Sequence, residues 1–260
     1  MSEALSPDLV SATTGNYSIP VFAIFSTAWR HIKGIKKAFW QGLGLLFLVM
    51  VGLYIVLGFL LAVCDIFYFD RLRAICQFFM GGFIEVFRLL LSISLIFLAL
   101  SHLRGQTINA QIVFEFRKNY QPLAYMGILA YLFDQMLLSG THFILHKLTD
   151  SGLPGVLVIG EGVWVVLFIL LYSYITLLIT MAMLLILDKK MQFKDSLKIA
   201  LISINQHWVK NIVLLILASL LFLLGGIVTL GIGLIWLLPL FFLITAIQYQ
   251  QIFCASNGQL

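Results

Sequence analysis

From Asn211 to Gln248 no side chain carries a formal charge, a run of more than thirty residues dominated by Leu, Ile, Val and Phe. Such a stretch is too long and too apolar for one helix of a soluble core, and it calls for hydrocarbon as its solvent. The rest of the chain agrees. With 62% hydrophobic residues, 10% charged residues and a mean hydropathy of +1.06, 260 residues lie outside the range of a water-soluble domain. A chain in lipid must satisfy its backbone internally, so the expected fold class is all-α, a polytopic transmembrane helical bundle.

A helix crossing about 30 Å of hydrocarbon needs about 20 apolar residues. Runs of that length predict spans at about Phe39–Cys64, Phe79–Leu100, Leu123–Phe143 and Val163–Leu187. The stretch from Asn211 onward is too long for one crossing and predicts two spans folded back near Gly225, Gly226, Gly231 and Gly233. The expectation is therefore about six spans arranged as three hairpins. Residues 1–19 read as a polar N-terminal tail without fixed structure, 20–253 as a single membrane domain and 254–260 as a short C-terminal tail. The start lacks a basic segment ahead of a short apolar core, so no cleaved signal peptide is expected.

Charge sorting predicts orientation. Arg30, Lys33, Lys36 and Lys37 precede span one; Arg104, Arg117 and Lys118 separate spans two and three; Lys189, Lys190, Lys194, Lys198 and Lys210 separate spans four and five. The alternate loops carry no positive excess. These basic segments, and with them both termini, are expected in the cytoplasm. The last hairpin has no charge at its turn to orient it.

Each hairpin is preceded by an amphipathic segment: Pro20–Lys37, Thr107–Tyr120 and Phe193–Trp208. In the first, Phe22, Phe25, Trp29, Ile32 and Ile35 recur at helical spacing while basic residues fall on another face, as in a helix lying at the headgroups. Arg30, Lys33, Lys36 and Lys37 are then candidate contacts to anionic lipid, each contributing about 1 kcal/mol near such a surface. The same faces suit a protein partner, a second copy of the chain, or packing against its own spans. The net charge of +5 is explained by these flanks, and no nucleic-acid partner is expected.

Ionisable residues inside spans are the sharpest functional pointers. Asp134 falls near the centre of span three with Gln135 beside it, and Glu85 and Arg88 share a face of span two at i, i+3. The structural expectation pairs Arg88 with Asp134 across two helices, with Glu85 nearby; the functional alternative makes Asp134 a proton-titrating group coupled to transport. His142 and His146, at i, i+4, form a weak metal candidate with no third ligand in the pattern, and no metal or other cofactor is expected. Cys64 and Cys76 bracket one loop and allow a disulfide; with Cys254 they form no redox motif. No phosphate loop or nucleophile elbow is present, and the polar segments are too short for a catalytic domain, so no enzyme is expected. Gly81–Gly82 suits close helix packing, and Pro239 predicts a kink in span six.

The strings Ala28-Trp-Arg-His-Ile-Lys-Gly, Asp188-Lys189 followed by Asp195-Ser-Leu-Lys-Ile-Ala, and Gly231-Ile-Gly-Leu-Ile-Trp-Leu-Leu-Pro239 resemble bacterial six-span inner-membrane proteins of the YciC-type and related families. The membrane domain attached to some glycerophosphodiester phosphodiesterases is similar too. The resemblance covers most of the chain and implies a six-helix protein of the bacterial cytoplasmic membrane, but no catalytic residue. Where relatives often place Pro-Gly near the start of span four, this chain has Pro154-Gly155 slightly upstream. Taken together, the sequence suggests a non-enzymatic scaffold or accessory subunit organising lipid or a partner, with a small carrier or channel for a proton, metal or lipid-like substrate as the alternative.

Overall fold

A computed structural model of the chain describes the backbone of residues 6–66, 70–150 and 154–254, with side chains described except at 64–66, 70–74, 144–145, 148–150 and 154–161. The described residues are about 90% helical and contain no strand. In order, the helices are α1 (Pro7–Thr14), α2 (Val21–Ile66), α3 (Asp70–Leu103), a 3-10 segment (Ala110–Asn119), α4 (Tyr120–Asp150), α5 (Pro154–Lys189), α6 (Phe193–Gln206), α7 (Trp208–Val228) and α8 (Leu234–Phe253). Six of these, α2, α3, the segment leading through α4, α5, α7 and α8, are long and apolar enough to cross a membrane.

The three lead-in segments take three forms. Residues 21–37 are the first part of α2, a single helix of 46 residues; residues 110–119 are 3-10; residues 193–206 form the separate helix α6. Helix α2 has no proline and no breaker between its basic and apolar parts, so nothing ends it at Lys37. Its inward stripe is Ile24, Ala28, Ile32, Ile35 and Phe39, all buried, whereas Phe22 and Trp29 face outward at 88% and 58% exposure. The apolar face expected from Phe22 to Ile35 is thus divided between the core and the surroundings.

Helices α3 and α8 are central: 50% and 56% of their most apolar windows are buried, against 6% for α2. Small residues set the close approaches. A Cβ at Gly34 would lie 2.6 Å from the His102 imidazole, and one at Gly42 would lie 2.9 Å from Val113 and 3.6 Å from Leu98, so α2 and α3 run antiparallel in tight contact. On the other side of α3, the Tyr131 ring of α4 covers Gly81 and Gly82, and its hydroxyl donates to the Phe78 carbonyl at 2.9 Å. In lipid, where apolar surface has no water to escape, such packing and interhelical hydrogen bonds hold helices together.

The first nineteen residues, read from sequence as an unstructured tail, hold a docked helix. Pro7 opens α1, and Gly15 closes it with φ 76°, a left-handed cap. Tyr17 donates its hydroxyl to the Ser203 carbonyl at 2.6 Å, Gln206 Nε2 donates to the Thr13 carbonyl at 2.9 Å, and His207 Nε2 donates to the Gly15 carbonyl at 3.2 Å. Burial pushes the Tyr17 phenol above its ordinary value, partly offset by a hydrogen bond with Asn211. Lys189 lies 3.8 Å from the Asp8 carboxylate. The segment that reads as a solvated tail thus offers its Thr13 and Gly15 carbonyls to side chains at the end of α6, and its Tyr17 hydroxyl to an α6 carbonyl.

Candidate functional site

The charged groups converge at two levels. At one end of the bundle Arg104, just past α3, makes a two-pronged pair with Asp188 near the end of α5, Nη1 to Oδ1 at 2.5 Å and Nη2 to Oδ2 at 2.8 Å. Tyr249 of α8, fully buried, donates its hydroxyl to Asp188 Oδ2 at 2.9 Å. The hydrogen bond from Asp188 holds the Arg104 guanidinium above its ordinary value. Cys254 Sγ lies 3.6 Å from Arg104 Nη2, and burial raises its thiol, with Lys189 and Arg104 partly opposing. Beside this network Gln248 donates to Asn211 Oδ1 at 3.0 Å, and Asn211 in turn to the Ile204 carbonyl at 3.3 Å. Ends of five helices, α3, α5, α6, α7 and α8, are thereby tied by polar contacts, an arrangement that fixes register.

Deeper in the bundle lie Glu85, Arg88 and Asp134. The salt bridge forms within α3: Arg88 Nε donates to Glu85 Oε2 at 2.8 Å, and a second, shorter contact joins Arg88 Nη2 to Glu85 Oε1. Asp134 of α4 stands beside this pair, close enough to interact electrostatically with both Glu85 and Arg88. The three residues therefore come together as the sequence suggests, but the guanidinium is claimed by its i, i+3 neighbour, whose short lever arm on the same helix face costs less ordering than a reach across helices. Two carboxyls thus face one guanidinium.

Arg88 also closes one end of a groove of about 540 Å³ between α2, α3 and α8. Leu43, Leu46, Phe47, Met50, Leu91, Leu95, Leu238 and Phe242 form its walls, and Trp40 stands at the other end. Gly44 lines it, and a Cβ there would meet nothing within 4 Å. One turn before Trp40, Lys36 places its ammonium 4.6 Å from the centre of the Trp236 ring, a cation–π contact. Lys33 and Lys37 are exposed, and Arg30 donates to Thr27 Oγ1 at 3.2 Å. The four basic residues thus occupy one stretch of α2 with the exposed Trp29 and Trp40, an aromatic and basic mixture of the kind that anchors helices at headgroup level.

His142 and His146 lie exposed near the far end of α4, where Thr141 Oγ1 donates within its own helix to the Leu137 carbonyl at 2.7 Å. Among the described residues no group of three or more His, Cys, Asp or Glu is placed to hold a metal. The side chain of Cys64 lies outside the described residues, and with it the disulfide suggested for Cys64 and Cys76. Sequence reasoning missed the roles of Trp40, Asp188 and Tyr249. Asp188 is an acid among lysines at the end of an apolar run, and that isolation was the available signal.

No protein-family model, curated protein or solved structure matches this chain.

Proposed function

We propose that this integral membrane protein is non-enzymatic and organises lipid as a scaffold or accessory subunit, in keeping with its resemblance to six-span bacterial inner-membrane families. The observation that carries the reading is the groove: an apolar trough between α2, α3 and α8 with Trp40 at one end, where Lys36, stacked on Trp236, and the exposed Lys37 lie within one turn of Trp40 along α2. An acyl chain suits the walls, and an acidic headgroup suits the mouth. The motif-poor polar segments offer no pair of groups for covalent chemistry. Cytoplasmic placement of the basic stretch of α2 follows the positive-inside rule.

Native mass spectrometry of the full chain, extracted into mild detergent with equal phosphatidylglycerol and phosphatidylcholine, tests this. Wild type should retain phosphatidylglycerol preferentially. Lys36→Gln and Lys37→Gln should each lower that preference about fivefold, the equivalent of about 1 kcal/mol. Gly44→Leu fills open space and should empty the groove. Equal retention of both lipids by wild type and variants would end the proposal.

A second reading, a small carrier for a proton or lipid-like substrate, rests on the grouping of Glu85 and Asp134 with Arg88, the one of the three that lines the groove. It requires solute movement by reconstituted protein that Asp134→Asn abolishes.

A further inference from the structure

In the last hairpin no residue from 219 to 238 is buried. On the α7 arm the last buried residue is Ala218, and on the α8 arm burial resumes at Pro239 and Leu240 and holds through 243–249. This tip is nevertheless firm within itself. A Cβ at Gly225 would lie 2.6 Å from Leu237, and one at Gly226 would lie 3.3 Å from Leu234. Thr229 Oγ1 donates to the Gly225 carbonyl at 2.6 Å and accepts from the Gly233 amide at 2.8 Å. Leu230 and Gly231 take the left-handed conformations, φ 51° and 85°, that reverse the chain.

Both arms are weak at the base of the tip. Pro239 has no amide to give the Ile235 carbonyl, so α8 lacks a bond there. On the α7 arm Ser219 donates its hydroxyl to the Leu215 carbonyl at 2.9 Å, a back-bond of the kind that loosens and bends helices. From α2, Trp40 Nε1 reaches the Ile235 carbonyl at 3.3 Å, and the Lys36 ammonium sits 4.6 Å from the centre of the Trp236 ring. Neither tie is strong: the first is longer than an ordinary N–H···O bond, and the second sets a charge against a ring quadrupole. The groove lies beside this clasp. Trp40 stands at its end, and Leu238 and Phe242, on either side of Pro239, belong to its wall, so a swing of the tip about Pro239 changes its width.

An anionic headgroup arriving at Trp40 finds Lys36 already engaged. It takes the ammonium all the same, because a charge-assisted bond to phosphate outweighs a contact with a ring face. We infer that the tip of the α7–α8 hairpin is a flap, hinged at Pro239 and Ser219 and clasped to α2 by Lys36 and Trp40, and that an anionic lipid opens it by drawing Lys36 off Trp236. This rests on the lipid-binding reading above and adds its regulation. The ammonium that selects the headgroup also keeps the groove narrow until one arrives.

Fluorine NMR of the full chain carrying fluorotryptophan, in phosphatidylcholine nanodiscs with rising phosphatidylglycerol, tests it, the Trp236 and Trp40 signals being assigned by Trp236→Phe and Trp40→Phe. Both signals should shift together as phosphatidylglycerol rises, and that of Trp164 in α5 should not. In Lys36→Gln the Trp236 signal should already lie near its shifted position in phosphatidylcholine alone. Native mass spectrometry of the same samples separates the two readings. Phosphatidylglycerol retained with Trp236 unmoved would overturn the flap and leave lipid binding standing; no preference for phosphatidylglycerol would end both. Lipid exchange gives an independent readout. Trp236→Leu frees Lys36 without removing it, so bound phosphatidylglycerol should be replaced by a deuterated copy about threefold faster, the worth of an exposed cation–π contact, with the preference kept. An exchange rate unchanged in both Trp236→Leu and Trp40→Phe would overturn the inference as well.

Discussion

Trp40 donates its indole N–H to the carbonyl of Ile235, the group that Pro239, four residues further along α8, leaves without a helical donor. The proline removes one hydrogen bond from the helix and a side chain of a different helix replaces it. Trp40→Phe should therefore destabilise the protein by about 1 to 2 kcal/mol, since it orphans a carbonyl as well as losing a bond. In a Pro239→Ala background, where the amide at 239 can serve the carbonyl, the same change should cost about 1 kcal/mol less. Unfolding in mixed micelles, followed by circular dichroism for the four combinations, measures the coupling; equal costs in both backgrounds would refute it.

Arg104→Met leaves the Asp188 carboxylate, 8% exposed, with the Tyr249 hydroxyl and the more distant Lys189 charge but no guanidinium. A loss of roughly 3 kcal/mol is expected, as for a buried pair broken on one side. The double variant Arg104→Met, Asp188→Leu should recover much of it, because no charge is then left stranded. Thermal unfolding of the two variants checks the order.

Gly82→Val and Gly44→Val should differ sharply. A Cβ at Gly82 would already lie 3.1 Å from the Tyr131 ring, so a branched side chain should cost about 1 to 3 kcal/mol by overpacking the α3–α4 contact. At Gly44 the space is open, and the change should stay within about 0.5 kcal/mol. Melting temperatures in detergent distinguish them.

Cys254 should alkylate more slowly in the folded protein than in the SDS-denatured chain at pH 8, in a Cys64→Ser, Cys76→Ser background. Burial raises its thiol above the ordinary value, and Lys189 and Arg104 only partly oppose that. Because the folded state holds this proton more tightly, the associated stability is present below the ordinary thiol value and is lost as pH rises through the raised one. The alkylation rate should climb through the same alkaline range, and Arg104→Met, which removes one opposing charge, should shift the climb to higher pH.

Helix existence was legible because lipid makes apolar length nearly sufficient evidence, and Glu85, Arg88 and Asp134 were legible because a charge within such a length has few explanations. The inward face of α2 was not. Its contact residues include Thr27 and Ala28, too polar or too small to stand out beside Phe22 and Trp29, which point the other way. The same limit hid the last hairpin. Leu-rich helices have no apolar side that distinguishes lipid from protein, so its seat against α2 depends on contacts such as Lys36 with Trp236 that pair residues 200 positions apart. The docked state of α1 rests on single bonds to residues near position 200, the Ser203 carbonyl and the Gln206 and His207 side chains, which no local pattern announces.

The N-terminal helix has a consequence for the order in which the molecule is completed. Its partners, Lys189, Ser203, Gln206 and His207, are made last but for the final hairpin. At about 5 to 20 residues per second the ribosome takes roughly 10 to 40 s to travel from Thr14 to Ser203. Throughout that interval α1 has nowhere to bind. The earliest segment to emerge is therefore among the latest to settle, and its docking serves as a latch that closes only on a chain whose later helices are already in place.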